Sequence, residues 1–408
     1  MHLLLDYSYA TGVRVATINR PHIPTTHKGF VAPALEPGEL MKPIVTWASP
    51  PIWVAPMKRL FQLQATQHER EARVTVKVPP VSATIVRYTA HKRQSRNRLH
   101  RTRRFLIMDF TMPNPHPPRV LAVGEVLWDM LPGGKQLGGA AANFAYFASA
   151  MGARATLISR VGADPLGDET IARLADLKLD ISGITRDPSH ETGKASVETD
   201  SKGIPQFIIH EPSAWDFIPA SEEVLRAAAS ADVIYFGTLA QRSPVSRDSI
   251  RQLVHHAPAS ALRVYDINLR KPFYDAQLIV QSLEMASVLK ITHEELEIVA
   301  KMLKLPEGEQ SRVTALRDRF NLFMVLLTRG ADGSMLVQKH RISEHPAVKP
   351  SRIADTIGAG DSFTASAVMS LLRGEDLDVL HDRAARIASY VCSQPGATPP
   401  LPAELLRI

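Results

Sequence analysis

Asp355-Thr356-Ile357-Gly358-Ala359-Gly360-Asp361 packs two carboxylates and two glycines into seven residues, directly ahead of an apolar helical pattern. Phe363, Ala365, Val368, Met369 and Leu372 recur at helix-like spacing, so the glycines open a helix. Glycine there lets backbone N–H groups turn toward an anion, and the helix dipole adds partial positive charge. Gly358, Ala359 and Gly360 can thus hold the charge that develops on a transferring phosphoryl group. Asp361, at the lip, can accept the proton of a hydroxyl about to attack phosphorus. The alternative is a loop whose aspartate merely caps a helix.

The chain around this motif has 408 residues, 45% hydrophobic and 22% charged, enough to bury a large core and to form two or three domains. Its single cysteine, Cys392, excludes an intramolecular disulfide and fits a reducing, cytoplasmic setting. No apolar run approaches the roughly 18 residues of a membrane span. The net charge of +7 is unevenly spread. Residues 1–107 hold 17 Lys+Arg against 5 Asp+Glu, and residues 108–408 hold 31 against 36.

Residues 1–107 read poorly as a domain. They carry ten prolines, and His91–Arg104 is rich in arginine without aromatic interleaving. Such a stretch is expected to be a solvated, disordered extension, with a nucleic-acid patch as the alternative. Val74–Val78 alternates as a strand would. Arg103-Arg104 is not followed by the apolar region that a twin-arginine signal needs. Met108 and Met112 stand just before the ordered pattern, as a mis-assigned start would leave them.

From Arg119 onward the rhythm is βα. Arg119–Val123 reads as a buried strand ending at Gly124-Glu125, with Asp129 beyond it. Gly138-Gly139 then opens a small-residue helix with Asn143 one turn inside. That pattern suits a polyhydroxylated ligand or, equally, close helix–sheet packing. Lys194–Asp200 and Gln206–His210 read as paired strands between α/β segments, as an inserted lid would. Asp266, Asn268 and Arg270 cluster at the carboxyl end of strand Arg263–Asn268, the end where open α/β sheets bind ligands. Arg270 suits phosphate. Val288–Thr292 is a strand running into a helix start where Glu295 could orient a metal-bound water or serve as an ordinary acidic first turn. Thr328, Gly330 and Gly333 form a glycine turn between two further strands.

Several classes are excluded by their missing signatures. Neither G-x-x-x-x-G-K-[ST] nor G-x-G-x-x-G occurs, no His/Cys spacing suggests zinc, and there is no G-x-S-x-G elbow.

Taken in order, these elements resemble the ribokinase-like (PfkB) carbohydrate kinases over about residues 119–400. D-T-x-G-A-G-D is complete at 355–361. Gly124-Glu125 with Asp129, Gly138-Gly139 with Asn143, and Gly162-x-Asp164-x-x-Gly167 also match. So do Asp266-x-Asn268-x-Arg270, Thr328-x-Gly330-x-x-Gly333 and Gly396-Ala397-Thr398-Pro399. Gly124–Asp129 and Ala214–Ile218 look most like the family's bacterial fructokinases.

The resemblance implies an α/β fold: a doubly wound, mostly parallel sheet flanked by helices, spanning 118–408. A small β-sheet lid is expected at about 125–138 and 193–212. It implies ATP-dependent phosphorylation of a sugar primary hydroxyl, D-fructose first, with ribose, 2-keto-3-deoxygluconate or a nucleoside as alternatives. Asp361 would be the base, Gly358, Ala359 and Gly360 the anion hole, and Arg270 a contact to the sugar or the transferred phosphate. Asp129, Gly138, Gly139, Asn143 and Asp266 would hold the sugar. Thr328, Gly330, Gly333, Asp355 and Thr356 would line the nucleotide site, and Glu295 would help place magnesium. Where the family carries the asparagine of N-x-x-E, this chain has Thr292. Some members also bind potassium. The expected partners are a small-molecule sugar and ATP, with a homodimer as the assembly and no membrane. A non-catalytic nucleic-acid-binding protein acting through the basic extension is the rival from another class.

Overall fold

The computed structural model describes residues 116–406, apart from position 132 and residues 200–204, and gives the backbone of five strands nearer the amino terminus. The chain divides into two units, Met1–Met112 and Pro113–Ile408. In the first, His2–Ala10 pairs antiparallel with Val13–Asn19 and with Arg104–Asp109, and Arg73–Val76 pairs with Thr84–Arg87. Within the alternating run, Val74–Val76 belong to the short strand Arg73–Val76, and residues 77 and 78 lie outside the described residues. The arginine-rich residues 91–103, and most of the stretch expected to be disordered, lie outside the described residues.

The second unit begins with β1 (Arg119–Val123), β2 (Leu127–Leu131), β3 (Gly134–Gly138), α1 (Ala140–Ala150), β4 (Arg154–Gly162) and α2 (Pro165–Asp176). Next come β5 (Ile184–Asp187), β6 (Gly193–Thr199), β7 (Pro205–Ile209), α3 (Glu222–Ala228), β8 (Val233–Gly237) and α4 (Pro244–His256). After these are β9 (Leu262–Asp266), α5 (Ala276–Met285), β10 (Val288–Thr292), α6 (His293–Leu303), α7 (Glu309–Arg319) and β11 (Met324–Thr328). The chain closes with β12 (Ser334–Gln338), β13 (Ile342–His345), α8 (Ala359–Leu372), α9 (Leu377–Cys392) and α10 (Ala403–Leu406).

Nine strands form one sheet in the order β5-β4-β1-β8-β9-β10-β11-β12-β13. It is parallel as far as β11 and antiparallel for the last two strands. The chain winds outward from β1 in one direction and from β8 in the other. The switch point therefore lies between them, and ligands are expected beyond the carboxyl ends there. The strands are apolar on both faces because helices cover both. Val120, Ala122, Tyr235, Val264 and Val288 face α1, α8 and α9 through Phe144, Phe363 and Leu380. The alternate residues Leu121, Val123, Phe236, Tyr265 and Leu289 face α4–α7 through Ile250, Leu283, Leu296 and Leu316. This is the two-residue period of a strand buried on both sides.

A separate four-stranded sheet, ordered β7-β6-β2-β3, is built from the two segments read as a lid. Asp164, part of the G-x-D-x-x-G match, caps α2. It accepts from Gly167 N at 2.8 Å and also from Thr192 N and Oγ1, each at 2.8 Å, so this motif is structural. Among the described residues no helix is long and apolar enough to cross a membrane.

Candidate active site

The opening of α8 is set by a close approach. Gly358 takes φ 78°, and a Cβ on it would lie 2.0 Å from the carbonyl oxygen of Ala397. Only glycine fits both demands. The first helical bond runs from Ser362 N to Gly358 O at 2.9 Å. Gly360 and Asp361 therefore present first-turn N–H groups with no acceptor inside the helix. A second close approach lies opposite. Gly139, at φ 131°, would drive a Cβ to within 2.5 Å of Glu125 O, which brings the start of α1 against the end of β1.

These two helix starts bring Asn143 to Asp361: Asn143 Nδ2 donates to Asp361 Oδ2 at 2.8 Å. Burial and the negative charge of Asp266 push the Asp361 carboxyl up to about 7, against the bond from Asn143 and the charge of Lys290. Asp129 and Gln136 pair across β2 and β3, so both side chains share one face of the lid. The Asp129 carboxylate lies close over Gly138, 2.9 Å from where a Cβ would stand. Burial raises the Asp129 carboxyl against the charge of Arg270, and does the same to Glu125, which is only 5% exposed. Gln136, Gly138, Ala142, Asn143, Gly396 and Thr398 line part of a cavity of about 310 Å³.

Asp266 departs from expectation. Its side chain is fully enclosed, so it sits beneath the site and not on a sugar-binding surface. Tyr235 Oη donates to its Oδ2 at 3.1 Å, and Lys290 Nζ stands 3.3 Å from its Oδ1. Lys290 was missed in the sequence although the signal was there, a lone charge inside the apolar strand Val288–Thr292. Its Nζ also lies 3.4 Å from where a Cβ on Gly360 would stand.

Glu295 is likewise engaged. Its Oε1 accepts from Leu269 N and its Oε2 from Thr292 N, both at 2.8 Å, while Thr292 Oγ1 accepts from Glu295 N at 3.3 Å. This is a capping box that also ties down the loop carrying Arg270. Threonine at 292 acts as this cap through its hydroxyl. Among the described residues no group of three or more His, Cys, Asp or Glu is placed to hold a metal by itself.

Arg270 is exposed on its loop, near enough to Glu125 and Asp129 for its charge to favour their ionised forms. Thr328 pairs in register with Thr292, which places the Thr328–Gly333 turn beside the start of α6. Gly333 takes φ 92°, and Arg329 N closes the turn by donating to Gly333 O at 2.8 Å. Asp355 Oδ1 accepts from Ile357 N at 3.0 Å, and Thr356 O from Ala359 N at 3.4 Å, so both shape the loop into α8.

Residues 131–404 match the family described as pfkB family carbohydrate kinase. A fructokinase of Salmonella typhimurium is 28% identical over 265 residues, covering 62% of this chain and 84% of that protein. The solved structure of a Xylella fastidiosa fructokinase with bound ATP superposes with a TM-score of 0.62 at 21% identity, over 71% of this chain and 97% of that one. A Vibrio cholerae fructokinase with fructose, ADP and calcium bound gives 0.58 at 23% identity, over 71% and 97%. The fold is ribokinase-like, as in these structures. With the family pattern matched over two thirds of its length, the chain belongs to the pfkB family of carbohydrate kinases.

Proposed function

We propose that this sugar kinase transfers the γ-phosphoryl group of ATP to the primary hydroxyl of D-fructose, giving fructose 6-phosphate and ADP. The observation that carries this reading is Asp361 on the first turn of α8, bonded to Asn143, with its carboxyl lifted to about 7. A base with that proton affinity is matched to work near neutral pH. The sugar lies between the lid face bearing Asp129 and the glycine-opened start of α1, held by Asp129, Gly138, Gly139 and Asn143. Asp361 takes the hydroxyl proton as the oxygen attacks the γ-phosphorus in line. The bond to the β-phosphate oxygen breaks, and its electron pair leaves with ADP. First-turn N–H groups of α8 and the Arg270 guanidinium meet the charge on the moving phosphoryl group.

The Thr328–Gly333 turn and the Asp355-Thr356 loop flank the same helix start and take the nucleotide. Magnesium, when bound with ATP, would shield the phosphates. Glu295, with one lone pair spent on each oxygen, keeps a second to accept from a metal-bound water, which suits an ion held mainly by phosphate and water. Cys392 is free, as a reducing compartment such as the cytoplasm would keep it.

Fructose as substrate is supported by the Gly124–Asp129 pattern and by the fructokinase relatives. A panel of D-fructose, ribose, 2-keto-3-deoxygluconate and adenosine with coupled ADP detection tests it. Fructose is expected to give the highest kcat/KM. A tenfold lead for ribose or adenosine would remove fructose and leave the kinase class.

A further inference from the structure

Lys290 is the one charged residue of the apolar strand β10, and the mechanism above gives it no part. It is 6% exposed, and among the described residues its ammonium has a single ion-pair or hydrogen-bond partner, Asp266 Oδ1 at 3.3 Å. The two residues stand opposite each other in the β9–β10 register, on the sheet face that α8 covers. An ammonium carries three N–H donors, so Asp266 leaves donors of Lys290 without an acceptor. A buried ion pair seldom adds stability over apolar residues of similar size.

The unmet donors have a direction. The Nζ of Lys290 lies 3.4 Å, and its Cε 3.6 Å, from where a Cβ on Gly360 would stand. Apart from the helix's own turn, no other described atom comes within 4 Å of that point. Glycine at 360 thus leaves the ammonium uncovered toward the first turn of α8. There the N–H groups of Gly360 and Asp361 also lack an acceptor within the helix. Donors from two elements, one of them a full positive charge, therefore face the same side of the helix start. A site of that kind fits an anion, since charge-assisted bonds to a phosphoryl oxygen would satisfy both sets.

We propose that Lys290 is a further catalytic residue, whose ammonium meets the γ-phosphoryl group as it passes to the sugar. This rests on the start of α8 receiving that group, as in the reaction proposed above. Lys290 gives up no proton. The hydroxyl proton goes to Asp361, the new bond forms between the sugar oxygen and the γ-phosphorus, and the bond to the β-phosphate oxygen breaks toward ADP. Lys290 supplies a fixed positive charge in a site partly closed to water, where such a charge acts most strongly. Asp266, paired with it from behind, anchors the ammonium and offsets the cost of burying it.

The test is kinetics and nucleotide binding of Lys290→Met with magnesium and D-fructose present. The kcat should fall by ~10²–10³, the usual loss for one donor to a developing anion. Affinity for AMP-PNP, which carries a γ-phosphoryl group, should fall about tenfold, and affinity for ADP, which lacks one, should change less than about twofold. The double variant Asp266→Asn/Lys290→Met leaves no unpaired buried charge and guards against a folding failure. It should be as slow as the single variant and lose the same preference for AMP-PNP. Recovery of the double variant toward wild type would overturn the proposal, since Lys290 would then serve only to neutralise Asp266. Equal weakening of AMP-PNP and ADP would overturn it too, by placing the ammonium on the β-phosphate. So would unchanged kcat and binding. Failure of the underlying reading looks different: Asp361→Asn would then turn over like wild type.

Discussion

Asp361 holds its proton up to about pH 7, and the same fact governs both rate and stability. For a carboxyl raised from its ordinary 3.8, folding favours the protonated form. Its contribution to stability is complete below pH 3.8 and is lost as pH rises through 7, just where the residue becomes a working base. The fold thus carries a charged carboxylate that it would be more stable without, as active sites commonly do. At this scale the sequence was a good guide wherever backbone geometry and chemistry coincide. Gly358 must be glycine because of Ala397, and Asp361 stands on the turn it opens. The sequence was a poor guide where neighbours come from distant strands. Asp266 reads as a polar residue at a strand end, facing ligand. Only the packing of Tyr235 and Lys290 around it shows that it is enclosed.

Elements were legible by period and less so at their ends. α4 starts at Pro244, where proline fits the first helical position. The last long helix, α9, starts at Leu377 behind the cap Asp376. That start brings His381 into the core, where no periodicity argument had placed a titratable group. His381 Nε2 meets Ser334 Oγ at 2.7 Å and its Nδ1 meets Ser343 Oγ at 3.0 Å, which fastens α9 to β12 and β13. Burial holds its imidazole down to about 4. The fold therefore keeps the neutral ring while the unfolded chain takes up a proton near 6.5, so stability falls as pH drops from about 6.5 to 4. Over that window the loss should reach about 3 kcal/mol. Urea unfolding at several pH values should show a shallower loss in His381→Asn, and identical slopes for the two proteins would refute the role.

The whole molecule joins two chemically different pieces. Residues 1–107 are strongly basic and 108–408 mildly acidic, while the boundary between the two units falls after Met112. Every family element and every residue of the site lies in the second unit, whose two cores cover both faces of its sheet. A chain beginning at Pro113 is therefore expected to fold and to phosphorylate sugar with kcat/KM within about threefold of the full chain, a gap of ~0.7 kcal/mol. An insoluble or inactive product would show that the first unit is needed. A salt-sensitive loss of nucleic-acid binding on truncation would restore the second role for the basic extension. The central chemistry is tested most directly by steady-state kinetics of Asp361→Asn, which keeps the side-chain shape and removes proton acceptance. The expected result is a fall in kcat of ~10²–10⁴ with sugar and ATP binding retained. A variant keeping more than about a tenth of wild-type kcat would contradict Asp361 as the base.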